Sequence, residues 1–560
     1  MKQSYCRLFY MLATMAAASS LCAQQSEKPE FRYIANPPPP ATGPHTGTLD
    51  VFIQKLKPQG ELPLSFLKAE HGDLAAWKAE TSPAAAPATA GPINIGSRRE
   101  LFVDDYLIDK MNGTRLKLHE PRCEGTVFRF DQPWDGVFCT YATIIRDDFG
   151  NDGKAASAPR APVYRLYYVS DHGICVAESP DGIRWTRPEY DDQVFTDKET
   201  GKTFKMNRIL SQFSKSRQKA SFAPFIDTRP DVPADQRYKG FFGGAWGPPD
   251  LMTSADGIHW KSFPAKRPAI QGDFDSHNIG FYSESEKCYV FYYRKSRGNR
   301  WVYRSTSPDF VDWSEGVEME ANAGKSDQLY TSSTTPYFRA PHVYIALASR
   351  YTANRSATTE EQRVAAGLSK DYLKASGFNE TVLLTSRGGT RYDRTFLEGF
   401  IRPGLGVKAW TTRSQYAAWG IVPTPDSDTH LSFYVARELG YKSNHLERYT
   451  LRYDGFVSVN APVAGPKGWE MVTKPLTFSG KRLLLNYSTG ATGQIQVEIQ
   501  DAEGKPLPGW TAKDCQYTVG DEIERPVLWK NGGDLSTLAG KSVRLRFVMW
   551  DADLYAIRFE

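Results

Sequence analysis

The chain has 560 residues, 69 Lys and Arg against 64 Asp and Glu, and 13% aromatic side chains, 29 of them Tyr and 13 Trp. It is long enough for two or three domains with sizeable cores. The net charge of +5 is spread without a basic run, so no nucleic-acid partner is expected, and no segment beyond the amino terminus is apolar enough to span a bilayer.

Residues 1–23 read as an export signal. Lys2 and Arg7 supply a positive start, Leu8 to Leu21 a short apolar stretch, and Cys22-Ala23 a small-residue end. Cleavage is expected after Ala23, giving an exported protein, periplasmic or extracellular. Leu21 directly before Cys22 disfavours lipoprotein anchoring. Residues 24–92 form a Pro/Ala-rich extension with four consecutive prolines, Pro37 to Pro40, a poor core former and a good tether. The apolar run Ile93-Asn-Ile-Gly-Ser-Arg-Arg-Glu-Leu-Phe-Val-Asp-Asp105 is expected to pair with the last repeat described next and to close the ring.

Between residues 135 and 460, within a domain assigned to 93–465, one unit recurs five times. Its second strand reads Tyr164-Arg-Leu-Tyr-Tyr168, Tyr238-Lys-Gly-Phe-Phe242, Tyr289-Val-Phe-Tyr-Tyr293, Tyr344-Ile-Ala-Leu-Ala348 and Leu431-Ser-Phe-Tyr-Val435. A turn follows: Ser179-Pro-Asp-Gly-Ile-Arg-Trp185, Ser254-Ala-Asp-Gly-Ile-His-Trp260 and Ser307-Pro-Asp-Phe-Val-Asp-Trp313, then the looser Ser386-Arg-Gly-Gly-Thr-Arg-Tyr392 and Tyr453-Asp-Gly-Phe456. Units of four short strands bury their faces only against copies of themselves, so five units predict an all-β, five-bladed propeller. Residues 466–560 change to alternating segments such as Gln494-Ile-Gln-Val-Glu-Ile499 and Val543-Arg-Leu-Arg-Phe-Val548, which predict a β-sandwich. A structural role is favoured for it, since no aromatic platform is discernible. The five cysteines beyond the signal lack metal-site spacing; free buried thiols are expected, with one bridge from Cys123 or Cys139 to a neighbour left open.

Propeller, Ser-x-Asp-Gly-x-x-Trp turns, appended sandwich and export signal together resemble the five-bladed glycosidases of glycoside hydrolase families 32, 43, 62 and 68. The phrases Glu100-Leu-Phe-Val-Asp-Asp-Tyr-Leu-Ile108, Phe400-Ile-Arg-Pro-Gly404 and Tyr416-Ala-Ala-Trp-Gly-Ile-Val422 resemble those of secreted bacterial proteins described as glycosidase-like. The resemblance implies three carboxylates in a central funnel. It does not carry catalytic residues across: the family 32 phrase Trp-x-Asn-Asp-Pro-Asn-Gly is absent, as is the Glu-Cys pair, and Phe225-Ile-Asp-Thr-Arg229 only approaches Arg-Asp-Pro.

The repeat itself serves as a ruler. Counting back about 17 residues from each second strand reaches the start of an innermost strand, where side chains face a ligand. The candidates are Asp275, Asp327 and Arg413, with Trp134-Asp135 in the first unit beyond an insertion at 150–161. Asp227 falls at the far end of its strand. Asp135, Asp275 and Asp327 are therefore the expected catalytic acids, joined by Glu398 from the loop entering the fifth unit, where an apolar setting would raise its pKa. Trp134, His277, Asn278, Arg402 and Arg413 are the expected substrate contacts.

The expected activity is hydrolysis of O-glycosidic bonds of an oligo- or polysaccharide, by a monomer without cofactor, a structural Ca²⁺ being left open. A non-catalytic carbohydrate-binding propeller and a glycoside phosphorylase remain alternatives. A sialidase, with three arginines such as Arg294, Arg350 and Arg413, is disfavoured by the blade number.

Overall fold

The computed structural model describes residues 91–149, 161–211, 221–243, 247–263, 270–321, 328–463 and 468–560. The expected export signal, nearly all of the Pro/Ala-rich extension and Asp327 lie outside the described residues. No helix among the described residues is long and apolar enough to cross a membrane.

Five antiparallel blades form a propeller. Blade 1 runs outward through Thr143–Asp147, Val163–Ser170, Gly173–Ser179 and Arg208–Leu210, blade 2 through Ser221–Ile226, Tyr238–Gly243, Asp250–Ser254 and Lys261–Ser262. Blade 3 comprises Ile279–Ser283, Cys288–Ser296, Arg300–Ser307 and Val317–Glu318. In blade 4, Leu329–Thr331 and Thr334–Tyr337 both pair with Ala340–Thr352, which pairs with Phe378–Ser386. In blade 5, Gln415–Ala417 and Val422–Pro423 lie on His430–Arg437, followed by His445–Arg452.

The tyrosine that opens four of the second strands explains why the blades sit together. Each sends its hydroxyl to the end of the innermost strand of the preceding blade. Tyr164 donates to Pro423 O at 2.7 Å, Tyr238 to Asp147 Oδ2 at 2.6 Å and Tyr289 to Asp227 Oδ2 at 2.5 Å, while Tyr344 lies 2.5 Å from Ser283 Oγ. The rings themselves are buried, so each clamp combines apolar burial with a hydrogen bond that water does not contest. Asp227 is further held by Lys239 and Arg229 at 2.8 and 3.1 Å. That places it in the scaffold, at the strand end opposite the candidate site.

The repeated turns are built by their side chains. Gly182 N donates to Ser179 Oγ, and Ile183 N and Arg184 N donate to Asp181 Oδ1; Ser254 and Asp256 bind their turn in the same way. Gly182 and Gly257 take φ of +74° and +76°. In the third turn Phe310 occupies that position at +72°. A left-handed phenylalanine is strained, and full burial of its ring against Trp313, Phe241 and Tyr289 holds it there.

Ring closure differs from the sequence expectation. The outer strand of blade 5 is Arg122–Arg129, paired antiparallel with His445–Arg452. Ile93–Gly96 instead runs parallel to Leu476–Phe478, and Glu100–Leu101 pairs with the long strand Val543–Phe559. The reason is solvent: an outermost strand is largely exposed, and the polar Arg122–Arg129 is mostly so, whereas Ile93 and Ile95 bury one apolar face in the C-terminal core. The C-terminal strands, joined by Ile108–Asn112 and Arg115–Leu118, form a ten-stranded, mainly antiparallel sheet. The cysteines Cys123, Cys139, Cys175, Cys288 and Cys515 are all free, so the bridge left open for Cys123 or Cys139 is not formed.

The Glu-Leu-Phe-Val-Asp phrase fastens this sheet to blade 4. Arg387 donates to Glu100 at 2.7 Å and to Asp104 at 2.8 Å, and His342 meets Glu100 at 3.1 Å. Burial alone would raise the Glu100 pKa, but the His342 hydrogen bond and the Arg387 charge outweigh it and hold it down at about 2. Its folded value lies below its unfolded one, so this contribution to stability is complete above about pH 4.5 and is lost as pH falls toward 2. Arg387→Met, which takes the ion-pair partner of buried Asp104 and leaves buried Glu100 to Arg98 and His342, is expected to cost roughly 3–5 kcal/mol in denaturant unfolding. The loss of stability below pH 4.5 should be shallower in this variant than in the parent.

Candidate functional site

The innermost strands begin at Thr143, Ser221, Ile279, Leu329 and Gln415, and these beginnings meet on the propeller axis. Hydrogen bonds across the axis show the convergence. Thr143 Oγ1 of blade 1 lies 3.1 Å from His277 Nε2 of blade 3, and Ser221 Oγ donates to Ser276 O at 2.8 Å. Trp419 Nε1 of blade 5 donates to Thr334 O of blade 4 at 2.8 Å. The axis is thus plugged by buried side chains.

Around that plug stands a chain of tyrosines. Tyr141 contacts Tyr416 with ring centroids 5.6 Å apart, Tyr416 contacts Tyr330 at 5.6 Å, and Tyr330 contacts Tyr351 at 5.7 Å. Burial pushes the Tyr141 and Tyr416 hydroxyls well above 10, with Tyr330 adding to both. They therefore stay protonated at neutral pH and act as donors. Arg294 and Arg300 both lie over the Tyr330 ring, at 5.2 and 5.1 Å from its centroid. Arg413 lies over Tyr372 at 5.3 Å and Phe138 at 5.8 Å.

The backbone at these positions is unusual. Tyr141, Phe274, Ser333 and Arg413 have φ of +49°, +49°, +45° and +54°. Left-handed residues other than glycine cost on the order of 1–3 kcal/mol each and persist where their surroundings over-determine them, often at ligand sites. The restraint is visible beside Phe274. Asn278 Nδ2 donates to Phe274 O at 2.8 Å and Ser276 O at 3.0 Å, pinning the turn that presents Asp275.

Of the residues expected from sequence, Asp275 and Arg413 reach this constellation with open faces. The Asp275 side chain is 60% exposed and accepts from Arg294 Nη2 at 2.9 Å. His277 is buried and stacks on Tyr141 at 5.9 Å, and Asn278 is a buried turn brace. Both shape the wall instead of facing a ligand.

The others stand elsewhere. Asp135 is fully buried and accepts from Gln132 N, Tyr168 Oη and Arg187 Nη2. Trp134 is buried against Phe195 and Phe204 with Nε1 donating to Asn207. The cause is the register: the inner strand of blade 1 begins at Thr143, eight residues after Asp135, because the insertion at 150–161 lies within the span counted back. Glu398 is exposed on a loop whose Ile401 bridges the third strand of blade 4, and Leu397 N donates to it. The apolar setting expected for it is absent. Arg402 is likewise exposed.

Tyr141, Tyr330 and Tyr416 were not reachable by the ruler, which lands three residues before Tyr330 and Tyr416 in their units. Tyr330 and Tyr416 are the second residues of their inner strands and Tyr141 lies two residues before its own, positions that in sequence are indistinguishable from blade packing. Among the described residues no cluster of His, Cys, Asp and Glu is arranged to hold a metal ion.

Burial pushes His277 down to about 3, so its ring is expected to remain neutral throughout the range near neutrality. Long-range ¹H–¹⁵N spectra of labelled protein should show one fixed tautomer from pH 5 to 8; a titration in that window contradicts the buried assignment.

No family model and no curated protein matches this sequence. Among solved structures, the chain aligns with an N-acetylgalactosamine deacetylase from F. plautii at 11% identity, over 60% of this chain and 96% of that one, with a TM-score of 0.40. A glycoside hydrolase family 43 arabinoxylan arabinofuranohydrolase from Bacillus subtilis aligns at 12% identity over 78% and 99%, with a TM-score of 0.34. An α-L-arabinofuranosidase from Fusarium graminearum aligns at 10% identity over 59% and 98%, with a TM-score of 0.34. At these identities and scores the alignments assign neither a catalytic residue nor a substrate.

Proposed function

We propose that the protein is an exported glycoside hydrolase that takes the end of an oligo- or polysaccharide into the open side of the propeller. The observation that carries the reading is Asp275: an exposed carboxylate on the axis, fixed by Arg294 and presented by a strained, doubly braced turn among protonated tyrosines. Glycosidic cleavage needs a carboxylate placed at the anomeric carbon and a second group that delivers a proton to the leaving oxygen. Asp275 is assigned the first role, as nucleophile or base. Asp327, three residues ahead of Tyr330 in sequence, is assigned as its partner carboxylate. Tyr141 and Tyr416 hydroxyls serve as donors to sugar oxygens, and the plugged axis restricts cleavage to chain ends. The C-terminal strands are read as a β-sandwich that buttresses the ring, and the protein as a monomer.

The test is a screen on plant and algal glycans with Asp275→Asn, Asp327→Asn and Glu398→Gln beside the parent. The two aspartate variants should lose roughly 10²–10⁴-fold in kcat, and Glu398→Gln should match the parent. If the parent releases sugar and the aspartate variants equal it, the site is wrong. Retention of glycans in affinity gels without any product identifies a carbohydrate-binding propeller.

A further inference from the structure

Basic side chains on the mouth of the propeller are for the most part matched. Arg350 pairs with Glu380, Arg437 lies 3.2 Å from Glu447, and Lys408 lies 3.3 Å from Glu438. Three arginines beside the tyrosine chain depart from this pattern. Arg294 gives one nitrogen to Asp275, but its side chain is only 10% exposed and, among the described residues, Nε and Nη1 are buried without a partner. Arg300 donates Nη1 to the neutral Gln328 Oε1 at 3.1 Å, and its Nε has no partner among the described residues. Arg413 makes no hydrogen bond or ion pair among the described residues and rests only on aromatic faces.

Among the described residues three guanidinium groups thus face one carboxylate, Asp275, and the Asp327 assigned above as its partner would still leave them in excess. Arginine does not escape burial by losing its proton, so a buried, under-partnered guanidinium is costly. Stacking on Tyr330, Tyr372 and Phe138 offsets part of that cost. The rest of the lining is neutral: tyrosine hydroxyls, among them Tyr416, which is buried without a partner among the described residues, and the side-chain oxygens of Asn278 and Asn379. The charge of Arg413 acts on Tyr141, Tyr330 and Tyr416. A site with this excess of cationic donors is complementary to an acceptor-rich anion.

We infer that the terminal sugar bound here carries an anionic group, a carboxylate or a sulfate ester, held by Arg413 with the hydroxyls of Tyr141 and Tyr416, while Arg294 fixes Asp275 beside it. This rests on the glycosidase reading for the position of the sugar, but not on turnover. Arg300 completes the positive wall through the ring it shares with Arg294.

Calorimetric binding of D-glucuronate, D-glucose 6-sulfate and D-glucose to the full chain tests it. One or both anions should bind at least about tenfold more tightly than glucose, the yield of a charge-assisted hydrogen bond. Added NaCl should erode the preference. Arg413→Gln should abolish the preference with an unchanged unfolding midpoint, and Arg413→Lys should restore part of it, since the charge returns without the planar fork. Which anion binds identifies the carboxylate or the sulfate. Equal binding of glucose, absence of binding by either anion, or a preference that survives Arg413→Gln overturns the inference. Anion preference without any glycan cleavage would leave it standing while the hydrolase reading falls. Asp275-dependent cleavage of neutral glycans alone would do the reverse.

Discussion

Four of the five blades of this protein are fastened to the one before them by a buried tyrosine hydroxyl. Tyr164, Tyr238, Tyr289 and Tyr344 occupy one register of their second strands and reach the terminal residues of the neighbouring inner strand. Their acceptors include Asp147 and Asp227, buried carboxylates that also hold Arg165 and Lys239. The position is asymmetric: it fixes one end of the ring. The opposite end, where the inner strands begin, carries no equivalent ladder among the described residues and is where left-handed Tyr141, Phe274, Ser333 and Arg413 and the under-partnered arginines collect.

That division explains why similar residue types have different fates. Asp227 and Asp275 are both aspartates of inner strands or their leads, in adjacent blades. Asp227 sits at the clamped end with Lys239, Arg229 and Tyr289 around it, and its charge is fully answered. Asp275 sits at the open end with one arginine and solvent. A scaffold can hold left-handed backbone at Tyr141, Phe274 and Arg413 because stability generated elsewhere in the ring offsets the local cost.

The C-terminal sheet enters the same economy. Its strands cover the clamped side through Arg387 with Glu100 and Asp104, and through Asp454, which takes Arg99, Arg339 and Tyr337. These are buried charge networks spanning segments hundreds of residues apart in sequence. They leave the open side of the propeller uncovered by the sheet's own anchoring residues.

The amino-acid sequence by itself determined the five-bladed ring, because a repeating strand-and-turn unit has no other way to bury its faces, and the turn chemistry of Ser179, Asp181 and Gly182 is local. It also led to Asp275 and Arg413, whose units follow the common spacing. Only the tertiary structure decided which strand closes the ring, since an outer strand such as Arg122–Arg129 is mostly exposed and lacks the apolar alternation that marks a strand in sequence. The structure also removed Asp135 and Trp134 from the axis, because an insertion within the first unit breaks the ruler. Tyr141, Tyr330 and Tyr416 emerged from it as well. In a chain with 29 tyrosines, blade packing and ligand-facing hydroxyls use the same residue, and only three-dimensional position separates them.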